Sequence, residues 1–97
     1  MITYVSLFQW TDQGMKDVKN AVRSAEAATK LIEQAGGHLV CVYWTQGPYD
    51  LIAIAEWPDE ETAMSIVLAV GASGTARTVT LRAFNAEEMG RIVAKIP

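Results

Sequence analysis

Apolar residues recur with two different periods along this chain, and the switches between them mark its elements. Residues 2–10, ITYVSLFQW, are rich in β-branched and aromatic types and predict a strand. From 11 to 37 the period lengthens. Val18, Val22, Ala25, Ala28 or Thr29, and Ile32 recur every three to four positions, which predicts one long helix with an apolar stripe. Thr11 or Asp12 is placed to cap its start, and Gly36-Gly37 to end it. Two more strands follow, HLVCVYWT at 38–45 and DLIAIAEW at 50–57. The link between them is too short for a crossover, so they must pair antiparallel as a hairpin. Trp57-Pro58 stops the second of these strands, and Asp59 caps a second helix with Glu60 and Glu61 at its positive end. That helix is expected to run to the GASG break at 71–74. ARTVTLRAF at 76–84 predicts a fourth strand, and NAEEMGRIVAKI at 85–96 a short final helix with an Asn cap.

The order β-α-β-β-α-β plus a terminal helix predicts an α+β fold, the ferredoxin-like plait. Its four-stranded antiparallel sheet carries helices on one face, and residues 1–97 form a single domain. Because strand side chains alternate, Val5 and Leu7 share one face with Val79 and Leu81. Tyr4, Ser6, Phe8 and Trp10 share the other with Thr78, Thr80 and Arg82. Matching the aliphatic residues puts Val5, Leu7, Val79 and Leu81 beneath the helices. The third strand is apolar on both faces, Leu51, Ala53 and Ala55 against Ile52 and Ile54. A sheet apolar on both faces must cover both. Helices cover one, and a second subunit is expected on the other.

Composition narrows the classes. Just over half of the 97 residues are apolar, which marks a folded protein and is high for so small a chain. The net charge of −3 with scattered basic residues argues against a nucleic-acid partner. Cys41 is the only cysteine, so no internal disulfide is expected and a reducing cytoplasm is the natural setting. MITYVSLFQW lacks the pattern of a secretory signal, and no apolar run reaches membrane-spanning length.

Candidate chemistry is sparse. The connection TQGPYD at 45–50 needs Gly47 and Pro48 for a turn, but a turn alone requires neither Tyr49 nor Asp50. In the plain structural reading Tyr49 covers the end of the core and Asp50 accepts backbone N–H groups. In the functional reading both stand at a pocket mouth. His38 and Cys41 fall on opposite faces of a strand and do not make a metal site; a single histidine could serve only as a proximal heme ligand. Arg82, set among Thr80, Thr78, Ser6 and Tyr4, is suited to a carboxylate or phosphate, or else is an ordinary strand-end cation paired with Glu56 or Asp50. GASGTA at 71–76 lacks the Lys-Ser/Thr of a phosphate loop and precedes a strand, so it reads as a helix end. Trp10, Trp44 and Trp57 lie near strand ends, where they serve an interface or wall a pocket.

Three blocks in order, TYVSLFQWTDQG at 3–14, TQGPYDLIAIAEWPDEETA at 45–63 and RTVTLRAF at 77–84, resemble the GYD-domain family of small bacterial proteins. Gly47, Tyr49 and Asp50 stand where that family has its naming residues. The resemblance implies a dimeric α+β barrel, two plaits packed sheet to sheet, and carries no established activity. The hairpin is also similar to that of ligand-sensing domains in Lrp/AsnC-type regulators, although no DNA-binding helix-turn-helix fits in this chain. Related barrels include heme-degrading and cofactor-free monooxygenases, an analogy of fold alone.

The resulting expectation is a homo-oligomeric small-molecule-binding or regulatory module. It would assemble as a dimer or a multiple of dimers, with its pocket at the sheet and dimer interface built from Tyr4, Ser6, Trp10, Tyr49, Asp50 and Arg82. No cofactor, metal, nucleic acid or membrane is expected. The alternative is a cofactor-free or heme-linked enzyme acting on a hydrophobic substrate.

Overall fold

The computed structural model describes residues 1–97. It contains β1 (Ile2–Trp10), α1 (Asp12–Lys16), a 3-10 turn (Val18–Asn20), α2 (Ala21–Gln34), β2 (His38–Trp44) and β3 (Leu51–Trp57). These are followed by α3 (Glu60–Ser73), β4 (Ala76–Ala83) and α4 (Ala86–Ala94). The four strands form one antiparallel sheet in the order β2-β3-β1-β4, the ferredoxin-like plait.

The caps act as the local chemistry dictates. Thr11 accepts the Gly14 N–H, Asp59 the Thr62 N–H, and Asn85 forms a reciprocal capping box with Glu88. The predicted first helix is instead two helices joined by the 3-10 turn. Asp17 ends α1 and its side chain bonds Asn20 Nδ2 at 2.6 Å, a local alternative to continued helix. The break shifts the helical phase, so Val22 turns to solvent while Ala21, Ala25 and Ile32 face the sheet side. At the far end α3 runs through Gly71 and stops only at Gly74, the residue with φ +78.

The assignment of sheet faces is corrected. Register sets Tyr4, Ser6, Phe8 and Trp10 beside Arg82, Thr80, Thr78 and Ala76 on β4. On β3, Tyr4, Ser6 and Phe8 face Ala55, Ala53 and Leu51. This aromatic and hydroxyl face is the one beneath the helices, with Ala55 and Trp57 buried against Ile32 and Ala63. Val5, Leu7, Ile52, Ile54, Val79 and Leu81 form the opposite, open face, where Val79 and Leu81 remain 46% and 48% exposed. The reason is volume. Towards the sheet α2 presents Ala21, Ala25 and Ala28 besides Leu31 and Ile32, and α3 presents Ala63 besides Met64, Ile66, Val67 and Val70; where the helix residues are small, large sheet residues fill the gap. Tyr4, Phe8, Trp10 and Trp57 supply that bulk; a Val and Leu face would leave the layers further from contact.

The protomer is loosely closed. α2 packs on β2 and α3 on β4 and β3, so the middle of the sheet is bridged by neither helix fully. Its accessible surface is 6790 Å² for a 10.6 kDa chain, against about 5,500 Å² expected of a compact monomer of that mass. The radius of gyration, 14.6 Å, likewise exceeds the ~12.5 Å of a compact chain this long. Two surfaces contribute to the excess: the open sheet face, and the C-terminal segment, with Met89, Ile92 and Val93 of α4 and Ile96 after it exposed. No helix is long and apolar enough to cross a membrane.

Candidate functional site

Between the sheet and the separated helices lies a cavity of about 410 Å³. Its floor is the inner sheet face, Tyr4, Ser6, Phe8, Thr78 and Thr80, and its walls come from α2 and α3. Trp10, Trp44 and Trp57 all line it. The lining is mostly apolar, and its polar groups on the floor form one short ladder. Ser6 Oγ lies 3.2 Å from Thr80 Oγ1, which lies 2.9 Å from Thr78 Oγ1. The cross-strand register places these three hydroxyls on one face, since Ser6 is directly opposite Thr80. The lining contains no Lys, Arg or His, and its single acid, Asp17, is on the 3-10 turn side with its carboxylate bonded to Asn20.

Of the six site residues expected from the sequence, Tyr4, Ser6 and Trp10 line this cavity, which lies between sheet and helices within one chain. Tyr49, Asp50 and Arg82 are not among its lining residues. Tyr49 contributes its carbonyl, which accepts the Thr45 hydroxyl at 2.6 Å across the hairpin. Gly47 adopts φ +118, a conformation open to glycine, at the tip of the same turn. Gln9 Nε2 donates to the Pro48 carbonyl at 2.7 Å and fastens the turn to β1.

Asp50 is a clamp on the neighbouring strand. Its N–H donates to the Phe8 carbonyl at 2.8 Å, and its Oδ2 accepts the Trp10 N–H at 2.9 Å. The carboxylate thus replaces the next main-chain acceptor of the ladder and holds Trp10, a wall of the cavity. Asp50→Ala leaves that half-buried N–H without its acceptor and should cost about 1–2 kcal/mol. Asp50→Asn keeps an oxygen and should cost less; urea denaturation of the two variants checks the order.

Arg82 sits at the sheet end opposite Tyr4 and is already committed. Its guanidinium donates to the Thr3 and Ala83 carbonyls, lies 3.5 Å from Glu88 Oε2, and stacks 4.5 Å from the Phe84 ring centroid. It ties α4 to the sheet. The Asn85 backbone N–H, and then the Arg82 charge, hold the Glu88 carboxyl below the usual glutamate value against an opposing effect of burial. A depressed carboxyl stabilises the fold above its unfolded pKa, and this contribution is lost as pH falls through the folded value. The Asn85–Glu88 cap and the Arg82 tie should therefore loosen as pH drops below about 4.5. Backbone amide signals of α4 in an NMR pH titration should shift together there, and in Glu88→Gln that step should vanish.

His38 lies on the open side of the sheet, opposite Glu56 at the β2 start, and is exposed. Cys41, expected on the opposite face, pairs with Ile54 on this same side, because an irregularity between Leu39 and Cys41 shifts the register by one residue. No three His, Cys, Asp or Glu side chains are grouped to hold a metal ion. Reading from sequence missed the contribution of α2, whose Ala25 and Ala28 form a cavity wall. The signal was present as a run of small residues on a helix opposite an aromatic strand face.

Comparison with known proteins agrees with this architecture. The sequence profile of the GYD domain matches residues 4–93. A protein of Thermus thermophilus, named glutamine synthetase and cystathionine beta-lyase binding protein, is 33% identical over 84 residues, covering 86% of this chain and 88% of that one. A crystal structure of a protein from Thermus thermophilus superposes with a TM-score of 0.55 at 28% identity, over 89% of this chain and 96% of that one. With the plait, the Gly47 turn and the Asp50 clamp in place, this chain belongs to the GYD-domain family.

Proposed function

We propose that this chain is a homo-oligomeric regulatory module that acts by binding, and that it docks on an enzyme. The observation that carries the proposal is the open aliphatic face of the sheet. Val5, Leu7, Ile52, Ile54, Val79 and Leu81 form a continuous apolar surface, and single chains rarely leave such a surface to water. The chain exposes roughly 1,300 Å² more than a compact monomer would, and a standard interface takes about 800 Å² from each partner. A second copy, sheet to sheet, fits that requirement and leaves the helices outside. The enzyme partner is suggested by the Thermus relative, whose name records binding to glutamine synthetase and cystathionine beta-lyase. Binding is favoured over catalysis by the cavity lining, where Tyr4 and Asp17 are the titratable groups and no base faces a nucleophile.

Sedimentation equilibrium of the purified chain should give twice the 10.6 kDa protomer mass or a multiple of that. Adding purified glutamine synthetase should then produce a heavier, saturable complex. A protomer mass at all concentrations would sink the self-association. No shift with either glutamine synthetase or cystathionine beta-lyase would sink the enzyme docking and leave the assembly standing.

A further inference from the structure

We infer that the cavity between the sheet and the helices is a binding site for an uncharged, largely apolar small molecule bearing a hydrogen-bond acceptor such as a carbonyl. This goes beyond the docking role and stands without it, because the cavity and the open aliphatic face lie on opposite sides of the sheet.

Three properties of the lining select the ligand. The first is size. A space of about 410 Å³ falls in the range of small-molecule pockets and holds on the order of a dozen water-sized groups. A well-packed core of this length would close such a space, yet only Ile32, Ala55, Trp57, Ala63 and Ala76 among the apolar residues are buried. The second is charge. No cationic side chain lines the cavity to receive an anion, and Asp17 is already bonded to Asn20. A charged ligand would lose its hydration without gaining a partner.

The third property is the hydroxyl ladder. Ser6, Thr80 and Thr78 own three O–H protons between them, and their two mutual hydrogen bonds use two. One proton is left to donate, on a floor otherwise walled by aromatic rings. The ladder therefore keeps one free O–H donor over an apolar bed, and a flat molecule with an acceptor oxygen complements it.

The probe for this site is 6-propionyl-2-dimethylaminonaphthalene, an uncharged naphthyl ketone whose emission moves to the blue on leaving water. The full chain should bind it saturably, one per protomer, with a blue shift. Ala25→Trp fills the cavity from α2 and should abolish the blue-shifted signal. The triple variant Ser6→Ala, Thr78→Val, Thr80→Val keeps the shape of the floor, removes every hydroxyl of the ladder, and should weaken binding roughly tenfold. This variant keeps the test decisive even where Ala25→Trp fails to fold. The anionic 1-anilinonaphthalene-8-sulfonate should not displace the ketone. Absence of saturable ketone binding, an affinity unchanged when all three ladder hydroxyls are removed, or displacement by the sulfonate at equal concentration would each overturn the inference. Failure of self-association would not touch it, since the cavity is complete within one chain.

Discussion

Leu81→Asp should leave only single folded chains, because it disrupts the sheet-to-sheet pairing proposed above. Leu81 lies next to Val5 on β4, the edge strand of the open face, and is 48% exposed in the protomer, so an aspartate there meets water while the chain is alone. In a sheet-to-sheet pair the same position loses water. The variant forfeits about 2 kcal/mol of apolar burial and must desolvate a carboxylate, several kcal/mol more in a site without a cation. A twofold interface repeats both costs, once from each copy. At ~1.4 kcal/mol per decade, the dissociation constant should rise on the order of a thousandfold or more. Sedimentation equilibrium reports the mass, and far-ultraviolet circular dichroism reports that the plait persists. Thr78→Ala, on the other side of the same strand, should leave the mass unchanged. A Leu81→Asp protein that keeps the wild-type mass at micromolar concentration would mean that the open face is not the interface.

That experiment also tests the point at which sequence and structure part. Element order, the hairpin and three side-chain caps were legible because each depends on a few adjacent residues: Gly47 for the turn, Asp59 and Asn85 for helix starts. The partition of β1 into Val5 and Leu7 against Tyr4, Ser6, Phe8 and Trp10 was legible too, because alternation is a property of any strand. Which set faces inward was not. Both are apolar enough, and the decision depends on which residues of α2 and α3 the folded chain brings over the sheet, α2 against β2 and α3 against β4 and β3. Arg82 was misread for a related reason. Its partner Glu88 is six residues on, beyond the strand, and meets it only because α4 folds back from its Asn85 cap. The partner of the Asp50 carboxylate was likewise hidden, since Trp10 N lies 40 residues away in sequence. Period alone grouped Tyr4, Ser6 and Trp10 on one face, although that face lies beneath the helices and not at the expected dimer side. What a period cannot convey is the distance between two helices, and the cavity is that distance.

Gly14→Ala should be the most destabilising single methyl added to this chain. A Cβ on Gly14 would stand 1.9 Å from the Thr75 carbonyl oxygen and 3.3 Å from Trp10 Cδ1. The first obstacle is backbone, so relief requires moving either α1 or the turn into β4. Both are held by a cluster of bonds around Thr11. Its N–H donates to Thr75 O at 3.1 Å, its hydroxyl donates to Gly74 O at 2.5 Å, and its Oγ1 accepts the Gly14 N–H at 3.2 Å. Displacing α1 strains all three and shifts Trp10 at the cavity wall. A cost of about 2–3 kcal/mol lowers the melting temperature by roughly 10–20 °C in a domain of this size. Gly71→Ala is the control, because nothing lies within 4 Å of a Cβ there and the residue is helical. It should be neutral or gain up to about 1 kcal/mol from helix propensity. Melting curves over a range of protein concentrations separate these effects from any change in assembly, which alone makes the melting temperature depend on concentration. If Gly14→Ala melts with the wild type, the contact between α1 and the β4 turn does not hold the fold, and the wall that Trp10 gives the cavity is not positioned from this end.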